Sequence, residues 1–144
     1  MGSKRILLEL EMDRLPLEVA EKIIAAVLAR ARSDGKRAVS VAVTDEQGDL
    51  IAFARMDGVP VRSVQIAMNK AYTAARVGRD TIVFRKKAEK EGNQIAWFGD
   101  PRLTGLMGGV TLESDGKVMG GIGVSGRAVE DDHELGEVGR SVIA

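Results

Sequence analysis

The chain has no cysteine among its 144 residues. That excludes disulfides, thiolate metal sites and thiol nucleophiles, and it leaves His133 and the carboxylates as the available metal donors. A single histidine means that no pair of imidazoles can form within one chain. Aromatic residues make up 3%, so little ring surface is available for a flat ligand to stack on. Charge of one sign is not in excess either: 21 Lys plus Arg stand against 21 Asp plus Glu. This balance gives no long-range attraction to nucleic acid or to an anionic membrane, and it is compatible with self-association. Long apolar runs are missing too. The N-terminus offers only Ile6, Leu7 and Leu8 before Glu9 and Glu11, far short of a secretory core or of the ~20 apolar residues of a membrane span. The expectation is a soluble, cytoplasmic protein, provided no leader has been removed, with neither nucleic acid nor membrane as partner. At this length one domain over residues 1–144 is expected, burying roughly two-thirds of its unfolded surface around one core.

What the chain does have is glycine, 17 residues, concentrated where strands and turns are expected. The segment GGVTLESDGKVMGGIGVSG, Gly108 to Gly126, reads as a glycine-rich hairpin leading into a final helix. AVSVAVTDEQGDLIAFARMDG, Ala38 to Gly58, reads as a second hairpin, its arms Val39 to Thr44 and Leu50 to Arg55 joined across Asp45 to Asp49, with Gly48 free to take positive φ. Ala20, Ile23, Ile24, Val27, Leu28 and Ala31 recur at the helical period between Leu17 and Arg32, after Pro16 and before Gly35. Further helices are predicted from Ser63 to Val77, from an Asp80 cap to Lys90, and after a cap at Asp131 or Asp132. Arg5 to Met12 is a candidate initial edge strand. Asn93 to Met107, which holds Trp97 and Phe98, reads as a loop, and a loop of that length suggests a binding or interface segment. Hairpins separated by helices argue for an α+β domain, an antiparallel sheet of about five strands covered by helices, and against a doubly wound parallel sheet.

Three segments together resemble the GlcG/HbpS-like haem-binding family, which also includes the C-terminal domain of PduO-type cobalamin adenosyltransferases. They are VAVTDEQGDLIAFARMDG (Val41 to Gly58), IAMNKAYTAARVGR (Ile66 to Arg79), and GGV with GGIGVSG (Gly108 to Val110, Gly120 to Gly126). The resemblance covers nearly the whole chain. It implies a profilin-like α/β layer fold, a homo-oligomer, and haem or a related tetrapyrrole as ligand.

The residues themselves point to something smaller and acidic. Gly121, Gly123 and Gly126 spell G-x-G-x-x-G, but the chain ends before the βαβ unit and distant acid that a dinucleotide site requires, so these glycines are read as thinning a strand for close approach. Ser125 in GVSGR lacks the second glycine of a nucleophile elbow, which argues against a serine hydrolase. On the second helix Val64, Met68, Ala71 and Ala75 form one apolar stripe, read as the core face; Ser63, Ala67, Lys70 and Ala74 form a stripe of mostly small residues roughly 120° away, with Thr73 at its margin. Lys70, Ser63 and Thr73 are then candidates to line a pocket or subunit seam, the alternative for Lys70 being a surface lysine that snorkels. The resemblance favours the pocket, since NKAYTA falls within its motif. Arg55 and Asp57 follow a strand end and are candidate ligand contacts, or a local ion pair. Arg102 is a candidate carboxylate clamp, or a turn residue after Pro101. His133 is the candidate haem-iron ligand, although its place opposite Leu135, Val138 and Val142 makes it a solvent-face residue. Gly136 and Gly139 weaken the last helix unless a close helix–helix contact compensates, which favours oligomers. Three functions follow: a haem or tetrapyrrole-binding protein; a cofactor-independent lyase or isomerase of a small carboxylated substrate, aromatic or not; or a non-catalytic accessory subunit of a catabolic pathway. In the second, Lys70 is the base or anchor, Arg102 or Arg55 holds the carboxylate, and the Gly108 and Gly109 amides stabilise an oxyanion.

Overall fold

The computed structural model describes residues 14–144. The edge strand expected over Arg5 to Met12 therefore lies outside the described residues. Helix α1 (Leu17–Ser33) forms as its periodicity dictates, with Val19, Ala20, Ile23, Ile24, Val27 and Ala31 all buried. Strands β1 (Ser40–Asp45) and β2 (Leu50–Arg55) make the first hairpin. Asp45 shapes its turn: the carboxylate accepts the amides of Gln47 at 2.9 Å and Asp49 at 3.0 Å, while Gly48 sits at φ +93°. Helices α2 (Arg62–Val77) and α3 (Thr81–Lys90) follow. Strands β3 (Gly109–Ser114) and β4 (Lys117–Ser125) close the second hairpin through Asp115 and Gly116, both at positive φ, as a tight two-residue turn requires. Helix α4 (Val129–Ser141) ends the fold.

Among the described residues the sheet has four strands in the order β2–β1–β4–β3, every neighbouring pair antiparallel. This is the α+β arrangement expected from the hairpins, with four strands in place of about five. Alternation along the strands splits the interior into two layers. Val39, Val41, Val43, Val110, Leu112, Ile122 and Val124 join α1 and α4 in the main apolar core. On the opposite face Ala42 meets Ala67 and Ala71 of α2. No helix among the described residues is long and apolar enough to cross a membrane.

Three local expectations are corrected. The sheet-facing surface of α2 is wider than the expected stripe: Ala71 and Ala75 of that stripe are buried, as are Ser63, Ala67, Lys70 and Ala74 of the small-residue stripe, while Val64 and Met68 are only half-buried. The reason lies in β4, where a Cβ on Gly123 would overlap the Ala67 carbonyl oxygen and one on Gly121 that of Ala71. Bare glycines let the helix backbone sit directly on the strand, so only small side chains fit between. Neither Asp80 nor the Asp131–Asp132 pair caps a helix with its side chain. Asp80 instead accepts the Thr111 amide at 2.9 Å and binds Arg140 at 2.9 Å, tying α3 and α4 to β3. The expected loop from Asn93 to Met107 carries one turn of 3-10 helix at Ile95–Phe98.

Candidate functional site

Lys70 is the largest fully buried side chain among the described residues, 1% exposed. Its ammonium donates to the Val124 carbonyl at 2.8 Å and to Asp132 Oδ2 at 3.1 Å, and Asp132 is equally buried. The snorkelling reading of Lys70 is thereby overturned, because the glycine-thinned sheet draws α2 in until its lysine reaches across the edge of the strand. Asp132 gets there from the first turn of α4. Its other oxygen accepts the Arg127 amide at 3.0 Å. Gly108, at φ +125°, leaves the space these groups occupy: a Cβ there would stand 2.7 Å from Lys70 Nζ and 3.0 Å from Asp132 Cβ.

Burial acts on both partners in the direction that disfavours charge. It pulls the Lys70 ammonium below the ordinary lysine value, with Asp132 opposing the shift. It pushes the Asp132 carboxyl above the ordinary carboxylate value, with Lys70 opposing. A buried ion pair adds little net stability, since desolvation consumes most of the Coulombic gain. A buried pair whose members are both shifted away from their charged forms, beside a cavity, is therefore a candidate for function.

Such a cavity exists. A pocket of about 210 Å³ lies over the pair, lined by Lys70, Asp132, Ser63, Ser125, Arg37, Arg62 and Arg127 among others. Arg127 is committed to structure: its guanidinium clasps Asp34 at 2.6 and 3.0 Å and donates to the Arg37 and Ala31 carbonyls, locking the end of α1 to the β4–α4 junction. Arg37 and Arg62 are exposed at the rim and have no ion-pair partner among the described residues. Behind Ser125, on the same face of the sheet by register, stands Ser40, whose buried hydroxyl has no hydrogen-bond partner. An ammonium has three hydrogens; two of those on Lys70 are used within the protein.

The candidates named from sequence divide between this pocket and elsewhere. Lys70 and Ser63 line it, although the Ser63 hydroxyl donates to the Pro60 carbonyl. Gly108 abuts it, whereas the Gly109 amide donates to Thr81 Oγ1 at 3.1 Å and is not free to hold an oxyanion. Arg102, Thr73, Arg55 and Asp57 do not line it. Arg102 stacks on the Tyr72 ring, 3.8 Å from its centroid, and Tyr72 donates to Asp100. Thr73 accepts the Thr104 amide at 3.0 Å. Tyr72 and Thr73 therefore pin the Asn93–Met107 loop, whose Leu106 reaches the pocket wall. Arg55 and Asp57 are exposed around the end of β2.

His133 is less open than its helical position suggested, with 15% of its side chain exposed; Nε2 lies 3.5 Å from Glu137 and Nδ1 is buried without a partner. It does not line the Lys70 cavity. The glycines of α4 also find their partners within the chain, a Cβ on Gly136 meeting Val110 at 2.7 Å and one on Gly139 overlapping Ile122. They give no support for oligomerisation. Asp132, Arg37, Arg62 and Ser125 were not marked as ligand contacts by sequence. For Asp132 a signal existed: it shares one helical face with Leu135, Gly136 and Gly139, all buried.

Comparison with known proteins places these features in a family. The model of the family described as haem degrading protein HbpS-like matches residues 15–140. Protein GlcG of Escherichia coli is 32% identical over 110 residues, 74% of this chain and 81% of GlcG. Among solved structures, a double mutant of Streptomyces reticuli HbpS is 30% identical with a TM-score of 0.82, covering 92% of this chain and 89% of that one. A complex of PduOC with haem shares the fold at 24% identity and a TM-score of 0.81, covering 90% and 95%.

Proposed function

Starting from the HbpS-like family, to which this chain belongs, we propose that it binds a small carboxylate-bearing molecule over Lys70 and Asp132 and exchanges a proton with it, as a cofactor-independent lyase or isomerase does. The observation that carries this reading is the buried Lys70–Asp132 pair opening on a cavity whose rim holds two guanidinium groups without an ion-pair partner among the described residues. Arg37 and Arg62 supply charge for a carboxylate. The remaining Lys70 hydrogen supplies a donor to an oxygen of the ligand, and Asp132 Oδ2, 3.1 Å from Nζ, supplies a partner for proton transfer. At about 210 Å³ the cavity is smaller than the roughly 300–1,000 Å³ sites of drug-sized ligands, so a ligand of few carbons fits it. Calorimetry with a panel of small mono- and dicarboxylates tests the reading. Saturable binding by at least one, weakened at least tenfold in Arg62→Ala, is expected; no binding across the panel overturns it.

Haem is the second reading, favoured by the family's description. Within one chain the described residues do not fit haem iron: the Lys70 cavity is too small, and His133 stands outside it, paired to Glu137. A haem seat on this protein would therefore be shared between copies. Titration with haemin checks this directly. A saturable Soret shift near one equivalent, lost in His133→Ala, supports a seat at His133, and no saturable shift eliminates haem.

A further inference from the structure

We infer that Lys70 is an imine-forming lysine, and that the ligand class of the pocket is a short 2-oxo acid bound covalently through its carbonyl carbon. This rests on the reading of the pocket given above and names its substrate class. Three features of the geometry lead to it. First, Lys70 is the buried lysine among the described residues, whereas Lys22, Lys36, Lys86, Lys87, Lys90 and Lys117 are exposed. Desolvation pulls the Lys70 ammonium below the ordinary lysine value, with Asp132 opposing, and a desolvated lysine is the kind that serves as an imine-forming nucleophile. Second, the acid–base partner is already in place, Asp132 Oδ2 lying 3.1 Å from Nζ. Third, the pocket carries groups for the rest of an oxo acid: Arg62 and Arg37 for the carboxylate, and Ser125 beside the position where the carbonyl oxygen would be converted to hydroxyl.

The step balances without any further reagent. The amine nitrogen attacks the ketone carbon, the carbon–oxygen π bond breaks, and a proton passes from nitrogen to oxygen through Asp132, giving a carbinolamine. The carbon–oxygen σ bond then breaks as the carboxyl of Asp132 protonates the leaving hydroxyl. Water departs, and a positively charged imine remains against a negatively charged Asp132. The pair that began with one shared proton ends as an ion pair, so no net charge is buried or removed.

The test is reductive trapping. Full-length protein is incubated with pyruvate and sodium cyanoborohydride near neutral pH, then examined by intact mass and peptide mapping. One adduct per chain is expected, with a mass gain of the oxo acid less one oxygen, mapped to Lys70. It should be absent in Lys70→Arg and should need at least tenfold more pyruvate in Arg62→Ala, whose site is on the exposed rim. Modification scattered over the exposed lysines, or none at all, overturns the imine; the wild-type map decides this even if Lys70→Arg does not fold. If carboxylates bind saturably in calorimetry while no adduct forms, the imine alone falls and the pocket stands. If neither occurs, both fall.

Discussion

Lys70 and Asp132 are 62 positions apart in the chain, yet each is the other's main compensation for being buried. Removing one leaves the other charged and unpaired in the interior. Lys70→Met is therefore expected to destabilise the fold by about 3–5 kcal/mol, whereas Lys70→Met with Asp132→Asn should recover much of that loss; urea denaturation of both proteins checks it. The pH dependence has a definite sign. Above its lowered folded value but below 10.5, Lys70 holds its proton in the unfolded chain and not in the folded one, so stability rises with pH across that window. Asp132 acts oppositely: above 3.8 and below its raised value the folded carboxyl keeps a proton that the unfolded one has lost, so stability falls as pH rises. Asp132→Asn removes that opposing term and also the attraction that props up the Lys70 value. Its stability, read from urea unfolding, should climb with pH through the window that closes at 10.5, by up to ~1.4 kcal/mol per pH unit. A flat or falling midpoint would show that Lys70 remains charged throughout. Of these residues, Lys70 was legible in sequence through its small neighbours at helical spacing. Asp132 was passed over, despite sharing a helical face with Leu135, because a row of acids opening a helix reads first as capping chemistry.

At the scale of elements, the site depends on how closely α2 approaches β4. Gly123→Ala places a methyl group against the Ala67 carbonyl oxygen and near Lys70 Cβ, and is expected to cost about 1–3 kcal/mol by lifting the helix from the strand. Chemical denaturation measures the loss, and a change below about 0.5 kcal/mol would mean that the helix rides on the sheet more loosely than its glycines imply. The loop is held by two adjacent α2 side chains, Tyr72 and Thr73. Thr73→Val removes the acceptor of the Thr104 amide and should weaken the loop by about 1 kcal/mol, seen as several-fold faster amide exchange at Thr104 with β1 and β4 unaffected. Helix and strand positions were readable because periodicity and turn residues are local signals. The buried face of α2 was read only in part, for an equally physical reason: Ala71 and Ala75 are buried as expected, but hydrophobicity favours Val64 and Met68 over the small residues that the glycine-thinned strand admits.

The whole molecule presents Trp97 and Phe98 at 63% and 49% exposure on the loop that adjoins the pocket, and its net charge of zero offers no repulsion between copies. Light scattering at micromolar concentration is expected to give a mass above the 15.4 kDa of one chain, with Trp97→Glu lowering it; the protomer mass for the wild-type protein would dismiss assembly. Amino-acid order alone determined the class of fold, the two hairpins with their turn glycines, the long loop and the family resemblance, all of which are written in residues close together in the chain. It also singled out Lys70 as a polar residue with room around it. The tertiary structure alone decided that this lysine is buried, that Asp132 is its partner, and that Arg37 and Arg62 share its cavity while Arg102 turns away to Tyr72. These outcomes depend on which surfaces fit against one another across the sheet, and shape complementarity between distant segments leaves no periodic mark in the chain.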